Sequence, residues 1–212
     1  MSQRVANCPN CGARITFLWS SAVQTTCEYC RSILVRHDVD LEKVGVVADL
    51  PIDASPIQIG TEGVYQQKSF VVIGRIIYEY DYGNWNEWHL IFNDGSSGWL
   101  ADPQLEYAVS FLSPPPGRFP EEERVFRDNQ FHWNGIDYYV TSITEANYAG
   151  VQGELPFEYW DKERIKFVDL RTQDGRFGTI DFSESPPLLF LGEAVEYDSL
   201  RLKNVRQFEG WS

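Results

Sequence analysis

After Cys30 the chain has no cysteine: Cys8, Cys11, Cys27 and Cys30 all fall in the first thirty of 212 residues. No thiol is left to staple the remainder, so the pattern suits a reducing compartment with a metal site rather than a disulfide scaffold. There is also no apolar run long enough to span a bilayer, and the start MSQRVANCPNC lacks the apolar core of a secretion signal. The expectation is a cytoplasmic protein, with peripheral attachment to a membrane left open. Gly60-Thr61-Glu62-Gly63 has neither the lysine nor the spacing of a phosphate loop. No G-x-S-x-G elbow occurs, and with the thiols committed to metal there is no cysteine nucleophile.

Basic residues are scarce, 18 against 31 acidic, for a net charge of −13. The deficit is uneven. Through Arg36 there are four basic residues (Arg4, Arg14, Arg31, Arg36) and one acidic (Glu28), a head of +3, which leaves a body of −16. Such a body repels phosphate backbones and attracts cations or basic protein surfaces. Nucleic acid is therefore disfavoured, its one route being the ribbon, where Arg14, Arg31 and Arg36 accompany Phe17, Trp19 and Tyr29. The 43% hydrophobic and 15% aromatic content is that of a folded chain leaning towards β structure.

Cys8-Pro9-Asn10-Cys11, a fifteen-residue spacer and Cys27-Glu28-Tyr29-Cys30 match the spacing of a four-cysteine zinc ribbon. Each C-x-x-C turn aims two thiolates at one ion, and Gly12 permits a tight exit. Four thiolates leave no open position, so the metal is expected to be structural zinc, with a rubredoxin-like iron as the alternative. Arg14 to Trp19 and Ala22 to Thr26 read as a hairpin around Ser20-Ser21, followed by a strand at Ser32 to Arg36. Residues 37–55 read as a linker with a short helix near Leu41 to Val46, and His37 as a surface residue.

Beyond it, turn-punctuated strands are expected at Gly63 to Tyr65, Phe70 to Tyr80, Glu87 to Phe92, Gly98 to Leu100 and Tyr107 to Phe111. The prolines in 113–117 end this run. A hairpin through Asn134-Gly135 opens the next, and Lys166 to Arg171 and Arg176 to Phe182 form a further pair. L-x-x-x-D-G-x-x-G-x-(L/I) occurs from Leu90 to Leu100 and again from Leu170 to Ile180, which implies a duplicated β unit.

Strand alternation puts Trp88, Leu90 and Phe92 on one face of Glu87 to Phe92, and Glu87, His89 and Ile91 on the other. The first set is a core face. Trp85, Glu87 and His89, with Glu79, Asp81 and Tyr82 nearby, form a candidate ligand or partner surface, where rings and carboxylates would suit an amine or another cation.

CPNCG…CEYCRSILVRHDVDLE, the stretch from Ile57 to Leu100, GELPF and RFGTIDFSESPPLLFLGE together resemble a bacterial family of zinc-ribbon proteins with tandem copies of the domain of unknown function numbered four-one-seven-eight. Glu87 sits where the family pattern W-x-E-(aromatic) has its acid, and the second half lacks that motif. The resemblance implies an accessory role beside polyamine-related enzymes, small membrane proteins and envelope-stress factors. The combined expectation is mainly β: a zinc ribbon (1–36), a linker (37–55) and two related small antiparallel β domains of barrel or curled-sheet type (56–113 and 118–208). The expected function is a non-enzymatic binding or adaptor protein with a protein partner, membrane-associated in one version, or a polyamine or other cationic ligand. The alternatives are an enzyme or polyamine-handling factor using Glu87 and His89, and nucleic-acid binding through the ribbon.

Overall fold

Short runs rich in β-branched and aromatic residues pair with their sequence neighbours, and in the computed structural model the regular elements of the described residues are strands apart from short 3-10 turns. It describes residues 4–37, 40–47, 50, 54–114, 117, 119–158 and 164–208. In the head, β1 (Arg4–Asn7) pairs with β2 (Arg14–Phe17). A separate three-stranded sheet is built from β3 (Gln24–Thr26), β4 (Ser32–His37) and β5 (Asp40–Val46). Two expectations are corrected here. Residues Leu41 to Val46 are strand, not helix, because β5 folds back on β4 in a ladder from His37↔Asp40 to Ser32↔Val46. Nor do β2 and β3 form a hairpin: each pairs elsewhere, and past the end of β2 the Leu18 and Trp19 N–H groups are bonded by the Glu154 carboxylate at 2.7 and 2.9 Å.

Two five-stranded meanders follow. The first is β6 (Glu62–Tyr65), β7 (Lys68–Tyr80), β8 (Gly83–Phe92), β9 (Ser97–Ala101) and β10 (Tyr107–Ser113). The second is β11 (Gln130–Trp133), β12 (Ile136–Gly153), β13 (Ile165–Arg171), β14 (Arg176–Asp181) and β15 (Leu188–Val195). Rather than closing separately, they close on each other. β10 pairs with β15 and β7 with the far half of β12, so β7, β8, β9, β10, β15, β14, β13 and β12 form one eight-stranded antiparallel barrel. Eight strands give an interior just wide enough for packed side chains or one small ligand. The joining pairs are like with like, the second strand of each meander and then the fifth.

Alternation gives β8, β13 and β14 an outward apolar face as well as a lumen-facing one. Outward from β8, Trp88, Leu90 and Phe92 pack with Ile57, Tyr65 and Leu200. Outward from β13 and β14, Val168, Leu170 and Ile180 pack with Val125, Trp133 and Tyr138. The first meander's outer face is thus covered by β6, the Ile57 segment and the segment around Leu200 that follows β15, and the second's by β11 and the Val125 segment. The lumen-side core contains Ile76, Tyr78, Trp99 and Phe167, and continues into Ile33 and Val47 of the head.

Head and barrel meet where β12 ends against a bulge in β7. A Cβ on Gly153 would stand 2.1 Å from the Ile73 carbonyl oxygen, and one on Gly74 would stand 2.1 Å from that of Glu154. The backbones can approach this closely only as glycine. Leu155 then exchanges hydrogen bonds with Gln24, and the Gly153 N–H donates to Thr26 Oγ1 at 2.8 Å. Gly153→Ala, at φ +66 and without room, is expected to destabilise the fold by on the order of 3 kcal/mol. A lowered melting temperature in a thermal scan checks this.

Candidate functional site

Cross-strand pairs carry alternation around the barrel, so the inward residues follow from the register. Glu87 faces Ala101 and His89 faces Trp99 across β8 and β9. Phe167 faces Asp181, Asp169 faces Thr179 and Arg171 faces Phe177 across β13 and β14. Of these, Glu87, Ala101, Phe167, Asp169, Arg171, Phe177 and Thr179 bound a cavity of about 930 Å³, with Glu87 and Asp169 as inner carboxylates, Trp85 and Tyr80 joining Phe167 and Phe177 as aromatic wall, and Glu106 and Glu196 also on its lining. Below it, a chamber of about 50 Å³ is lined by Asp181, Ser110, Trp99, Phe157 and Phe190. Glu87, Ala101, Phe167, Phe177 and Thr179 border both.

Trp85 stacks on Tyr78 with ring centroids 5.0 Å apart and meets Phe167 edge-on at 5.6 Å. Its indole Nε1–H donates to Glu87 Oε1 at 3.1 Å. Glu87 is only partly accessible, and what it reaches is cavity. Burial pushes its carboxyl from the usual 4.5 up to about 8, against the pull of the Trp85 bond and with help from the nearby charges of Asp169, Asp102 and Asp181. Burial likewise raises Asp169 to about 6, opposed by a 3.0 Å bond from Thr179 Oγ1 and by Arg171. Arg171 lies over the Phe177 ring at 4.8 Å. The lumen therefore concentrates carboxyl groups in an apolar setting that resists their ionisation.

A buried polar network holds this strand in place. Asp102 accepts hydrogen bonds from Asn86 Nδ2 at 2.9 Å and Trp88 Nε1 at 3.0 Å, and also from Ser55 Oγ. Arg75 donates from Nε to Asn86 Oδ1 at 2.9 Å and lies over the Trp88 ring at 4.7 Å. With Asn86 and Trp88 pinned outside, Trp85 and Glu87 are fixed inward.

Of the six residues expected to share a surface, the barrel brings Trp85 and Glu87 together and separates the rest. His89 is fully buried below the cavity, its Nδ1 bonded to the Glu154 carbonyl at 2.9 Å and its ring between Trp19 and Trp99. Burial lowers it to about 4, so it stays neutral there, and it makes no bond to Glu87. Glu79, Asp81 and Tyr82 lie outside on the β7–β8 hairpin, with Tyr82 87% exposed and Asp81 facing Arg164 at 3.6 Å. Asp169, Asp181, Thr179 and Arg171 were absent from the sequence expectation. Their signal was the alternation of Phe167, Asp169 and Arg171 on one strand face.

In the head, Cys8, Cys11, Cys27 and Cys30 bring their sulfurs within 4.8 Å of one another, a group that could hold a metal ion. Cys8 and Cys30 Sγ are 3.6 Å apart and Cys11 and Cys27 Sγ 3.7 Å. A tetrahedral ion with bonds of about 2.3 Å requires about 3.8 Å between sulfurs, so the spacing fits. The two turns match: Gly12 and Arg31 both have positive φ and donate their N–H to the carbonyls of Cys8 and Cys27 at 2.8 Å. Arg14 and Arg31 open on a head–barrel cleft of about 800 Å³ that also contains Glu28 and Glu154, whereas Arg36 lies over Phe17 and donates to the Ser20 carbonyl. His37 is exposed and pairs with Glu42. Among the described residues, no helix is long and apolar enough to cross a membrane.

No curated protein and no solved structure matches the chain. One family matches across residues 58–197, a single span that takes in both meanders from β6 to β15. On that match over most of its length, the chain belongs to the family described as Domain of unknown function (DUF4178).

Proposed function

We propose that the chain is a binding protein for an organic cation, with the barrel as its ligand site and a structural zinc ribbon as its head. The observation that supports this best is the pairing of two raised carboxyls, Glu87 and Asp169, with aromatic rings inside one cavity. Desolvated carboxyls lacking enough counter-charge are relieved by an incoming ammonium, and ring faces add cation–π attraction. The four-sulfur spacing supports zinc in the head. The like-with-like closure of the meanders supports their origin as duplicated units. The proposed setting is the bacterial cytoplasm, where a ribbon-bound protein partner, membrane-associated in one version, would read the loaded state.

Calorimetric titration with spermidine at low salt tests the reading. Wild type is expected to bind, and Glu87→Gln to bind at least tenfold more weakly. No heat at low salt with wild type contradicts the proposal. The pH dependence has a defined sign. Below about 8 the free Glu87 is largely protonated, and an ammonium favours its carboxylate, so affinity is expected to rise from pH 6 to pH 8 and then level off.

A further inference from the structure

Resting on that reading, we infer that the ligand enters with a slim, unbranched cationic end, a primary ammonium on a methylene chain, which passes Glu87 and seats in the lower chamber beside Asp181. Two compartments carry the inference. The upper, of about 930 Å³, is wide and carries the rings of Tyr80, Trp85, Phe167 and Phe177 on its wall; the lower, of about 50 Å³, is narrow. Glu87, Ala101, Phe167, Phe177 and Thr179 border both, so the two compartments adjoin between these side chains. Ala101 stands opposite Glu87, and its small side chain leaves the gap. Its place in the second meander is held by Asp181, opposite Phe167, where the acid lies at chamber level.

The chamber's chemistry matches an ammonium. A primary ammonium has three N–H donors. Asp181 offers a carboxylate and Ser110 and Thr179 offer hydroxyl oxygens, and Asp181 and Ser110 are 6% and 7% exposed. The Thr179 hydroxyl spends its proton on Asp169, which leaves its oxygen free to accept. Asp181 Oδ1 takes the Ser183 N–H at 2.7 Å, and a carboxylate has further lone pairs. A space of this size takes about two or three heavy atoms. A trimethylammonium head is larger and has no donor, so it would stay in the upper compartment against the rings.

Titration of the full chain at pH 8 with n-hexylamine and with hexyltrimethylammonium, which share a chain and differ in the head, tests this. Hexylamine is expected to bind at least tenfold more tightly. Ala101→Leu, which narrows the gap between the compartments, is expected to cost hexylamine at least tenfold and hexyltrimethylammonium clearly less. Asp181→Asn, which keeps the shape, is expected to behave likewise, and it serves if the leucine variant does not fold. Equal affinity for the two heads, or equal losses for both in Asp181→Asn, overturns the inference while leaving the cation site standing. Binding of neither probe, together with none of spermidine, overturns both.

Discussion

Glu87→Gln is expected to raise the melting temperature at pH 8 while it weakens ligand binding. The folded carboxyl sits at about 8 against an ordinary 4.5, so between these values the folded chain binds more protons than the unfolded one. Stability carried by this group therefore falls as pH rises through that window, and the loss is complete above pH 8. At about 1.4 kcal/mol per pH unit the window sets a ceiling of about 5 kcal/mol, which screening by solvent in the cavity trims to on the order of 3 kcal/mol at pH 8, and glutamine removes that cost while keeping the size. The expected gain is roughly 5–10 °C at pH 8, shrinking towards zero near pH 5. Asp169, raised to about 6, adds the same trend over a lower window. A substitution that stabilises the fold and disables its site is the pattern of a position held for function. Scans of both proteins at pH 5, 6.5 and 8 decide the matter, and parallel curves would contradict it.

Removal of the metal is expected to unfold the head and leave the barrel standing. The described head strands are short and their core is small, comprising Ile15, Phe17, Ala22 and Leu34 around Cys8 and Cys27. Ribbons of this size draw folding free energy from their ion, on the order of 10 kcal/mol in comparable zinc peptides. With the four sulfurs released, the Glu154 bonds to Leu18 and Trp19 lose their partner geometry, and Trp19 leaves His89. The barrel closes through its own ladders, none of which includes a head strand. Hydrogen exchange after chelation should show residues 4–37 losing protection by orders of magnitude, while β13 to β15 keep theirs. Unchanged protection in the head would show that the cysteines do not hold a structural ion.

Much of this arrangement was written locally. The Asp94-Gly95 and Asp174-Gly175 turns join β8 to β9 and β13 to β14 as their spacing implied, and in the first the Asp94 carboxylate takes the Ser96 N–H at 3.0 Å. The outward face of Trp88, Leu90 and Phe92 followed from alternation alone. Closure was not local. β7 meets β12 and β10 meets β15 across roughly seventy to ninety residues, and neither pairing leaves a mark in the strands that make it. That closure, and not either strand alone, joins the two meanders around one lumen and turns the Trp85 and Glu87 face inward.

His89 shows how far alternation reaches. It shares a face with Glu87, yet two residues along a strand is about 7 Å, enough to carry it below the cavity and onto the head. Asp181 was hidden for a different reason. Its counterpart in the first meander is Ala101, so the acid sits on β8 in one unit and on β14 in the other. The second meander has no Trp-x-Glu, yet each meander brings an acid to an equivalent strand pair. The helix expected near Leu41 failed because the partner strand β4, not the local sequence, decides the backbone there.

The number of protons released on ligand binding tests the cation site most directly. Titrating spermidine at pH 7 in two buffers of different ionisation enthalpy yields that number. Release approaching one proton per barrel is expected, absent in Glu87→Gln and vanishing by pH 9, because Glu87 enters protonated and leaves ionised. No release, or proton uptake, would contradict a cation held by this carboxylate.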